Sequence, residues 1–288
     1  MAYKIALVTD STCDIPTTWV RQYEISVVPM TIVFGSQQYL DGVDITAEQF
    51  YDRLPTEPNH PSTSQVTPHQ FLQAFQNAAA AGAQSILAIT ISSAMSGTYN
   101  AALLGAKQVR FPVTVVDAKG PTMTIGWQVL AAARAREAGG SLDEMVLAVE
   151  EVRERLHYHI VLDTLEYLVK GGRISGAAKF IGNVLNIKPQ IRVNHQTGTV
   201  EAGDVSRTRA RALETLYSSF FKKVDGTKPL RIAVLHNAAY EEAKALADRI
   251  TAEYAPLELI IGIVSPVLGA HTGPRAVALC GYSEGDVS

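Results

Sequence analysis

Three groups of small polar residues stand far apart in this chain and share one kind of chemistry. They are Thr63-Ser64-Gln65, Ser96-Gly97-Thr98 and Gly269-Ala270-His271-Thr272-Gly273-Pro274. Each group lies beside an apolar run and supplies hydrogen-bonding side chains that carry no fixed charge. Such a set suits a carboxylate or a phosphate better than a metal ion or a hydride-transferring cofactor.

The second group directly follows an apolar run that ends at Ile91. Ligands of parallel sheets lie beyond the carboxyl ends of the strands, and the backbone N–H groups that open the next helix favour an anion. A plain turn with a helix cap has the same composition, so both interpretations stay open. Asp10 follows the first strand in the same way. It orients a loop, caps a helix or binds a metal, and loop structure is favoured.

His271 is predicted in a glycine-rich loop between two strands, as a ligand contact or as a hydrogen-bonded loop residue. His157 and His159 alternate at strand spacing, but no neighbouring Cys, Asp or Glu completes a metal site, so we expect no metal. Arg173 lies between glycines and a serine. It is either an ordinary solvated cation or a contact for a phosphate or a partner protein.

Composition limits the class of protein. The 288 residues are 47% hydrophobic and 18% charged, with a net charge of -3 and no block of like charge. This balance argues against a nucleic-acid-binding protein. The two cysteines, Cys13 and Cys280, form no CxxC pair. Because no secretory leader or long apolar span is visible, we expect a cytoplasmic protein with reduced thiols.

Several catalytic motifs are missing from the sequence. It contains no GxSxG nucleophile elbow, no GxxxxGK[ST] phosphate loop and no GxGxxG after the first strand. No pair of carboxylates stands out as an acid–base couple. The sequence therefore predicts no catalytic residues, although an enzyme is not excluded.

The first half of the chain predicts an α/β domain over residues 1–158. Strands are predicted at Ile5–Thr9, Val27–Phe34, Ser85–Ile91 and Val113–Asp117, and such continuous apolar runs fit a parallel sheet covered on both faces. Three helix starts match the capping box, in which a hydroxyl residue is followed three positions later by Glu or Gln. They lie at Thr46, Thr67 and Ser141.

The second half predicts a smaller, two-layer α/β domain over residues 159–288. Helices are expected over Glu166–Lys170, Val205–Lys223 and Tyr240–Tyr254, and a hairpin begins at Ile187. Further strands are expected over Arg231–His236, Glu258–Val264 and Ala276–Cys280. The fold class is therefore α/β with two domains, and we place the ligand at their junction.

The sequence resembles the DegV family. The resemblance covers nearly the whole chain and is specific in the combination of its motifs. These motifs are Thr9-Asp-Ser-Thr-Cys-Asp-Ile-Pro16, Thr63-Ser-Gln65, Ser96-Gly-Thr-Tyr99, Leu165-Glu-Tyr-Leu-Val-Lys-Gly-Gly-Arg-Ile-Ser175, Lys188-Pro189 and His271-Thr-Gly-Pro274.

The resemblance implies a long-chain fatty acid between two α/β domains. Family members resemble the lipid-binding subunit of bacterial fatty acid kinase, which presents the acyl carboxylate to a separate ATP-dependent catalytic subunit. It implies no cofactor, no enzymatic activity of the chain alone and, at most, transient contact with a membrane. Carried over by motif, the residues that hold the carboxylate are Thr63, Ser64, Ser96, Gly97, Thr98 and His271, with Thr272 and Gly273 beside them. Arg173 matches the family arginine associated with engagement of the kinase.

Two departures and two alternatives remain. Cys13 stands where small residues are common, and Arg275 stands where glycine is expected. Arg275 either alters the chain path behind His271 or helps to hold negative charge. One alternative function is a phosphotransfer enzyme related to dihydroxyacetone kinase domains that uses His271 or His236. The other is a carrier of a different apolar acid.

Overall fold

A computed structural model describes residues 3–174, 176–177 and 187–285. The described strands are β1 Ile5–Asp10, β2 Ile25–Val28, β3 Thr31–Phe34, β4 Gln37–Leu40, β5 Ser62–Ser64, β6 Ser85–Thr90, β7 Val113–Asp117, β8 His157–Val161, β9 Lys188–Asn194, β10 Thr199–Ser206, β11 Leu230–His236, β12 Glu258–Ile263 and β13 Val277–Ser283. The described helices are α1 Thr17–Gln22, α2 Ala47–Arg53, α3 Pro68–Ala80, α4 Thr98–Ala106, α5 Met123–Glu137, α6 Leu142–Arg155, α7 Glu166–Lys170, α8 Arg209–Phe221, α9 Tyr240–Tyr254 and α10 Pro266–Thr272.

The N-terminal unit is built on a parallel sheet with strand order β2-β1-β6-β7. Alternate residues of its central strands enter two separate cores. Leu7 and Leu87 pack on the side of α5, whereas Val8 and Ile86 pack on the side of α3 and α4. Burial on both faces explains why these strands read as unbroken apolar runs, and it confirms the predicted parallel sheet.

The predicted strand over Val27–Phe34 is wrong as a single element. The structure divides it into β2, which belongs to the parallel sheet, and β3, which starts a separate antiparallel sheet of order β4-β3-β5. Pro29 stands between the two strands, and its missing N–H and fixed φ favour a break in the ladder. Strand β5 of this small sheet carries Thr63 and Ser64, two of the predicted site residues.

All three predicted capping boxes are present. In α2, α3 and α6, the side chains of Thr46, Thr67 and Ser141 accept hydrogen bonds from the backbone N–H three residues later, and the Gln or Glu there binds back. In contrast, α5 was not predicted. Eleven of its fifteen residues are buried, so it has no polar face and no amphipathic pattern.

The C-terminal unit is a mixed sheet with strand order β10-β9-β8-β13-β11-β12. Helices α8 and α9 cover one face through residues such as Phe220 and Ile250. The other face packs on the N-terminal unit, where Trp127 of α5 donates its indole N–H to the carbonyl of Cys280 at 3.3 Å. The α/β architecture with a parallel sheet and a separate second sheet is therefore as predicted.

The following segments differ from the predictions. Val205 and Ser206 extend β10, and α8 begins only at Arg209, because Thr208 accepts the N–H of Arg211 and caps the helix there. The segment around His271, predicted as a loop, is largely helical. Ser265 precedes Pro266 at the first turn of α10, a position where proline costs no hydrogen bond.

The turn between β9 and β10 reaches across to the N-terminal unit. The carbonyl of Gly198 accepts a hydrogen bond from Ser92 Oγ at 2.8 Å, and His195 Nδ1 lies 3.3 Å from the carbonyl of Lys119. These contacts fix the hairpin against the carboxyl end of the parallel sheet. None of the described helices is long and apolar enough to cross a bilayer.

Candidate ligand-binding site

A cavity of about 600 Å³ lies between the parallel sheet and the six-stranded sheet. Its volume falls within the range of small-molecule sites. Most of its wall is apolar and comes from both units, including Ile91, Met95, Ile160, Ile191, Val200 and Leu268. A polar collar, which we define as Thr63, Ser64, Ser96 and His271, lines the same cavity.

Thr63 and Ser64 reach the collar because β5 is the edge strand of the small antiparallel sheet. Thr63 pairs with Ile32 and Ser64 pairs with Thr31 on β3. Ile32 is fully buried, so the strand pairing fixes the position of the two hydroxyl residues relative to the core. The pairing with β3 thus fixes β5, while the side chain of Thr63 is partly exposed and that of Ser64 is exposed.

The turn that carries Ser96 follows β6 and is held by two aspartates. Asp10 accepts the N–H of Ile91 at 2.8 Å, and Asp117 accepts the N–H of Ser93 at 3.3 Å. Asp10 also accepts the N–H of Thr12, so its role is structural, as favoured from the sequence. Ser96 Oγ lies 2.9 Å from Thr98 Oγ1 and accepts the N–H of Thr98 at 3.3 Å.

His271 joins the third group to the first. Its Nε2 lies 3.0 Å from Thr63 Oγ1, a contact between residues 208 positions apart. Burial, together with the Arg173 guanidinium and His60, lowers the pKa of His271 to about 4, so the ring is neutral at pH 7. Its Nδ1 is buried without a partner and faces Gly171, where a Cβ atom would lie only 2.2 Å away.

A neutral imidazole carries one N–H. When the proton is on Nε2, this N–H donates to Thr63 Oγ1. The atom without a partner, Nδ1, then carries a lone pair and no hydrogen. The Thr63 hydroxyl is then free to donate its own hydrogen to a ligand. The collar in this state offers donors without a positive charge.

Thr272 and Gly273 have structural partners instead. The Thr272 hydroxyl donates to the carbonyl of Leu268 at 2.9 Å and accepts from Asn237 Nδ2 at 2.8 Å. Gly273 does not line the cavity, and a Cβ atom there would lie 2.3 Å from the Tyr167 ring. Its φ of 73° also favours glycine at the end of α10. The structure therefore brings Thr272 to the cavity with its hydroxyl already used.

Gly97 and Thr98 lie behind the cavity wall. Thr98 is fully buried and contacts the collar through Ser96. Gly97 does not line the cavity, because the side chain of Gln65 covers it. Gln65 itself lines the cavity. It was part of the first polar group but was not among the predicted site residues, and no local pattern in the sequence reveals this contact.

Arg173 lies at the exposed edge of the cavity. Its guanidinium donates to the carbonyl of Gly171 at 2.9 Å and to that of Met95 at 3.4 Å. It lines the cavity and is close enough to His271 to lower the pKa of the imidazole. Ser175, the last residue of the motif that contains Arg173, lies outside the described residues.

Arg275 points away from the collar. Its guanidinium lies 3.6 Å from Glu242, so its charge is directed to that carboxylate. Its φ is 61°, a left-handed conformation in which glycine is unstrained, which fits the expectation of glycine at this position. Cys13 is buried, and burial raises the pKa of its thiol.

The other histidines show no metal-binding geometry. His159 is buried beside Ser219 and Gln190, on the sheet face that α8 covers, and burial lowers its pKa to about 3. His236 lies at the end of β11, within hydrogen-bond distance of the N–H of Ala239. Among the residues that the structure describes, no group of three or more His, Cys, Asp or Glu side chains is arranged to hold a metal ion.

Similar proteins share the whole architecture. The family model for DegV, described as a family of uncharacterised proteins, matches residues 4–284. A DegV domain-containing protein of Streptomyces coelicolor is 35% identical over 276 residues, which cover 95% of this chain and 96% of the relative. A relative from Clostridium acetobutylicum is 34% identical over 294 residues, 99% of each chain.

Two solved structures superpose closely on this one. A DegV family protein of Thermus thermophilus, described by its fatty acid binding, has a TM-score of 0.91 and 31% identity, with 97% of this chain and 99% of that chain covered. DegV of Bacillus subtilis, described as a fatty acid binding protein, has a TM-score of 0.90 and 26% identity, with 98% and 100% covered. On the match of the family model and of these relatives, the chain belongs to the DegV family.

Proposed function

We propose that this protein binds a long-chain fatty acid, with the acyl tail in the apolar cavity and the carboxylate at the collar. The carboxylate is then presented to a separate ATP-dependent kinase subunit, which forms the acyl phosphate. The observation that carries the proposal is the contact between Thr63 and His271 on the wall of an apolar cavity. No catalytic group of this chain is required.

The tail supplies the free energy of binding in this proposal. Burial of a methylene group contributes about 0.8 kcal/mol, so a chain of about sixteen carbons gains more than enough to bind tightly. The related proteins of Thermus thermophilus and Bacillus subtilis, which are described as binding fatty acids, support the same type of ligand.

The head group needs hydrogen bonds rather than a counter-charge. A carboxylate buried without partners costs several kcal/mol, and hydroxyl donors remove most of that penalty. Because His271 is neutral at pH 7, the collar holds the acid without a buried ion pair. A fixed cation in direct contact would oppose transfer of the carboxylate to a second protein.

Arg173 is the cation that we assign to the kinase step. It is exposed and lies beside the collar, where it is suited to contact the phosphate formed on the carboxylate or the kinase itself. We further propose that the protein acts in the cytoplasm, where free Cys13 and Cys280 stay reduced, and that it contacts membranes only transiently.

Mass spectrometry of an organic extract from the natively purified protein tests the ligand. We expect about one fatty acid per chain in the extract. An extract without any stoichiometric apolar acid, from protein that also fails to take up added palmitate, contradicts the proposal. An acid of another class in the same amount favours the alternative carrier.

The Arg173→Ala variant tests the kinase step. We expect it to retain palmitate with unchanged affinity and to lose most acyl phosphate formation when a fatty acid kinase subunit and ATP are added. Lys170→Ala is the matched control, because Lys170 is a nearby exposed cation that pairs with Glu166. Equal turnover by the two variants removes Arg173 from this role.

A further inference from the structure

The side chain of Gln65 covers Gly97 at the start of α4. A Cβ atom built on Gly97 would lie 1.9 Å from Gln65 Oε1, 2.7 Å from Cδ and 2.9 Å from Nε2. All three heavy atoms of the carboxamide therefore occupy the space that any other side chain at position 97 would need. A larger residue at position 97 would therefore displace the Gln65 carboxamide.

Backbone conformation does not require glycine at position 97. Its φ is -74°, outside the positive-φ region that favours glycine. Gly273, by contrast, combines a positive φ with close packing against Tyr167. Glycine at position 97 leaves room for the Gln65 carboxamide, which a larger residue would displace.

Gln65 also lines the cavity and has hydrogen-bonding capacity. Gln65 lines the cavity next to Ser64, and its Nε2 carries two N–H donors. The neighbouring groups have already used part of their capacity. Ser96 and Thr98 bond to each other, and Thr63 contacts His271. A carboxylate has room for about four hydrogen bonds, more than the collar hydroxyls can supply while these pairs remain.

We propose that Gln65 is a further ligand-binding residue, which donates its side-chain N–H to the carboxylate, and that Gly97 acts by positioning it. This inference rests on the proposed fatty acid function and adds one contact to it. Gly97 has no direct contact with the ligand in this arrangement, whereas the sequence had placed it among the carboxylate-holding residues.

The experiment measures the dissociation constants of palmitate and of 1-hexadecanol for the purified full chain. The two probes share the tail and differ in the head group. Gln65→Ala is expected to weaken palmitate binding about tenfold, the effect of one lost hydrogen bond to a charged group. Gln65→Glu is expected to weaken it further, since a second carboxylate repels the ligand. Binding of 1-hexadecanol should stay within about twofold of wild type in both variants.

Gly97→Ala supplies the decisive comparison. It leaves the Gln65 side chain chemically intact but displaces it, so we expect a palmitate defect equal to that of Gln65→Ala. The double variant should show no further loss, because both changes remove the same contact. Additive losses in the double variant contradict the coupling of the two residues and overturn the proposal.

Other outcomes distinguish this inference from the function on which it rests. Wild type that binds palmitate, with Gln65→Ala binding it equally well, overturns the role of Gln65 alone. A chain that binds neither palmitate nor 1-hexadecanol overturns the fatty acid function and this inference together. An equal loss for both probes assigns Gln65 to the cavity wall rather than to the head group and also overturns the proposal.

Discussion

Two polar regions lie at opposite ends of α10, and in both of them burial disfavours the charged form of the titratable side chains. The collar lies at the carboxyl end with His271, whose pKa is lowered to about 4. At the other end, the N–H of Ser265 donates to Asp14 at 3.0 Å, within an acidic cluster that we define as Asp10, Asp14 and Asp41. Burial raises the pKa of all three carboxyl groups, that of Asp41 to about 7.

The two regions differ in the groups to which their polar side chains are bonded. Asp10 and Asp41 are buried, and the carboxyl groups of the cluster bind backbone N–H groups and the Ser11 hydroxyl, which lies 2.7 Å from Asp41. The side chains of the collar are partly exposed and face a cavity. The same physical effect therefore yields a structural network in one place and a candidate binding site in the other. The variants below test this division.

Asp10→Ala should have the largest effect, and on folding rather than on binding. The backbone nitrogens of Ile91 and Thr12 lie 2.8 Å and 3.0 Å from the Asp10 carboxylate oxygens. The substitution leaves these two buried N–H groups without an acceptor. We expect the free energy of unfolding in urea to fall by about 3 kcal/mol. Asp10→Asn keeps one acceptor oxygen and should lose less. Equal stability of the alanine variant and wild type refutes the structural assignment.

Ser96→Ala should show the opposite pattern. Palmitate affinity is expected to fall about tenfold, while the free energy of unfolding falls by only about 1 kcal/mol, because the Ser96 hydroxyl lines the cavity and bonds to Thr98 alone among the described residues. Thr272→Ala is the matched control. Its hydroxyl is already bound to Leu268 and Asn237, so this variant should lose stability and keep its affinity. Isothermal titration and urea denaturation distinguish the two, and a binding loss confined to Thr272→Ala reverses the assignment.

The two regions should contribute to the pH dependence of the free energy of unfolding with opposite signs. The lowered pKa of His271 means that the unfolded chain binds its proton first as pH falls from about 6.5 to 4, so acidification removes stability. The raised pKa of Asp41 means that the folded chain keeps its proton longer as pH rises from about 4 to 7, so stability is lost towards pH 7.

Urea denaturation at pH 4.5 and pH 7 measures both contributions. Relative to wild type, His271→Gln should reduce the gain in stability from pH 4.5 to pH 7, and Asp41→Asn should increase it. Wild type serves as the common reference, because all other titrating groups are shared. Changes of the same sign in the two variants contradict the comparison.

Tyr51→Phe should have the smallest effect. The Tyr51 hydroxyl is buried near the acidic cluster and has no hydrogen-bond partner among the described residues. Burial raises the pKa of Tyr51, and the charges of Asp14 and Asp41 raise it further. Removing an unpartnered polar group costs little, so we expect the free energy of unfolding to change by less than about 0.5 kcal/mol or to rise slightly. A loss above about 2 kcal/mol reveals a hydrogen bond that links Tyr51 to the cluster.

Much of the fold follows from local patterns in the sequence. The strand over Val113–Asp117 and the helix over Tyr240–Tyr254 have the predicted bounds. Hydrophobic periodicity does not predict an element that is buried on all sides, nor the end of a strand that depends on a single residue. Helix α5 has no polar face to mark it, and Pro29 divides one apolar stretch between two sheets.

The candidate site is harder to predict. No spacing rule brings Thr63 to His271, because their contact depends on the packing of α10 against β5. The family motifs indicated these residues, but they gave no indication that Thr272 is already bonded or that Gln65 covers Gly97. Such contacts depend on side-chain directions across elements remote in sequence, which a linear pattern does not contain.

The hairpin of β9 and β10 has a thermodynamic consequence. Its tip is bonded to Ser92 and Lys119 of the other unit, and Ile191 and Val200 of the same hairpin form part of the cavity wall. A molecule that fills this space contacts both units at once and therefore favours their docked arrangement by linkage. Loss of the bound molecule should therefore weaken the association of the two units, and a mutation that weakens their contact should in turn weaken binding.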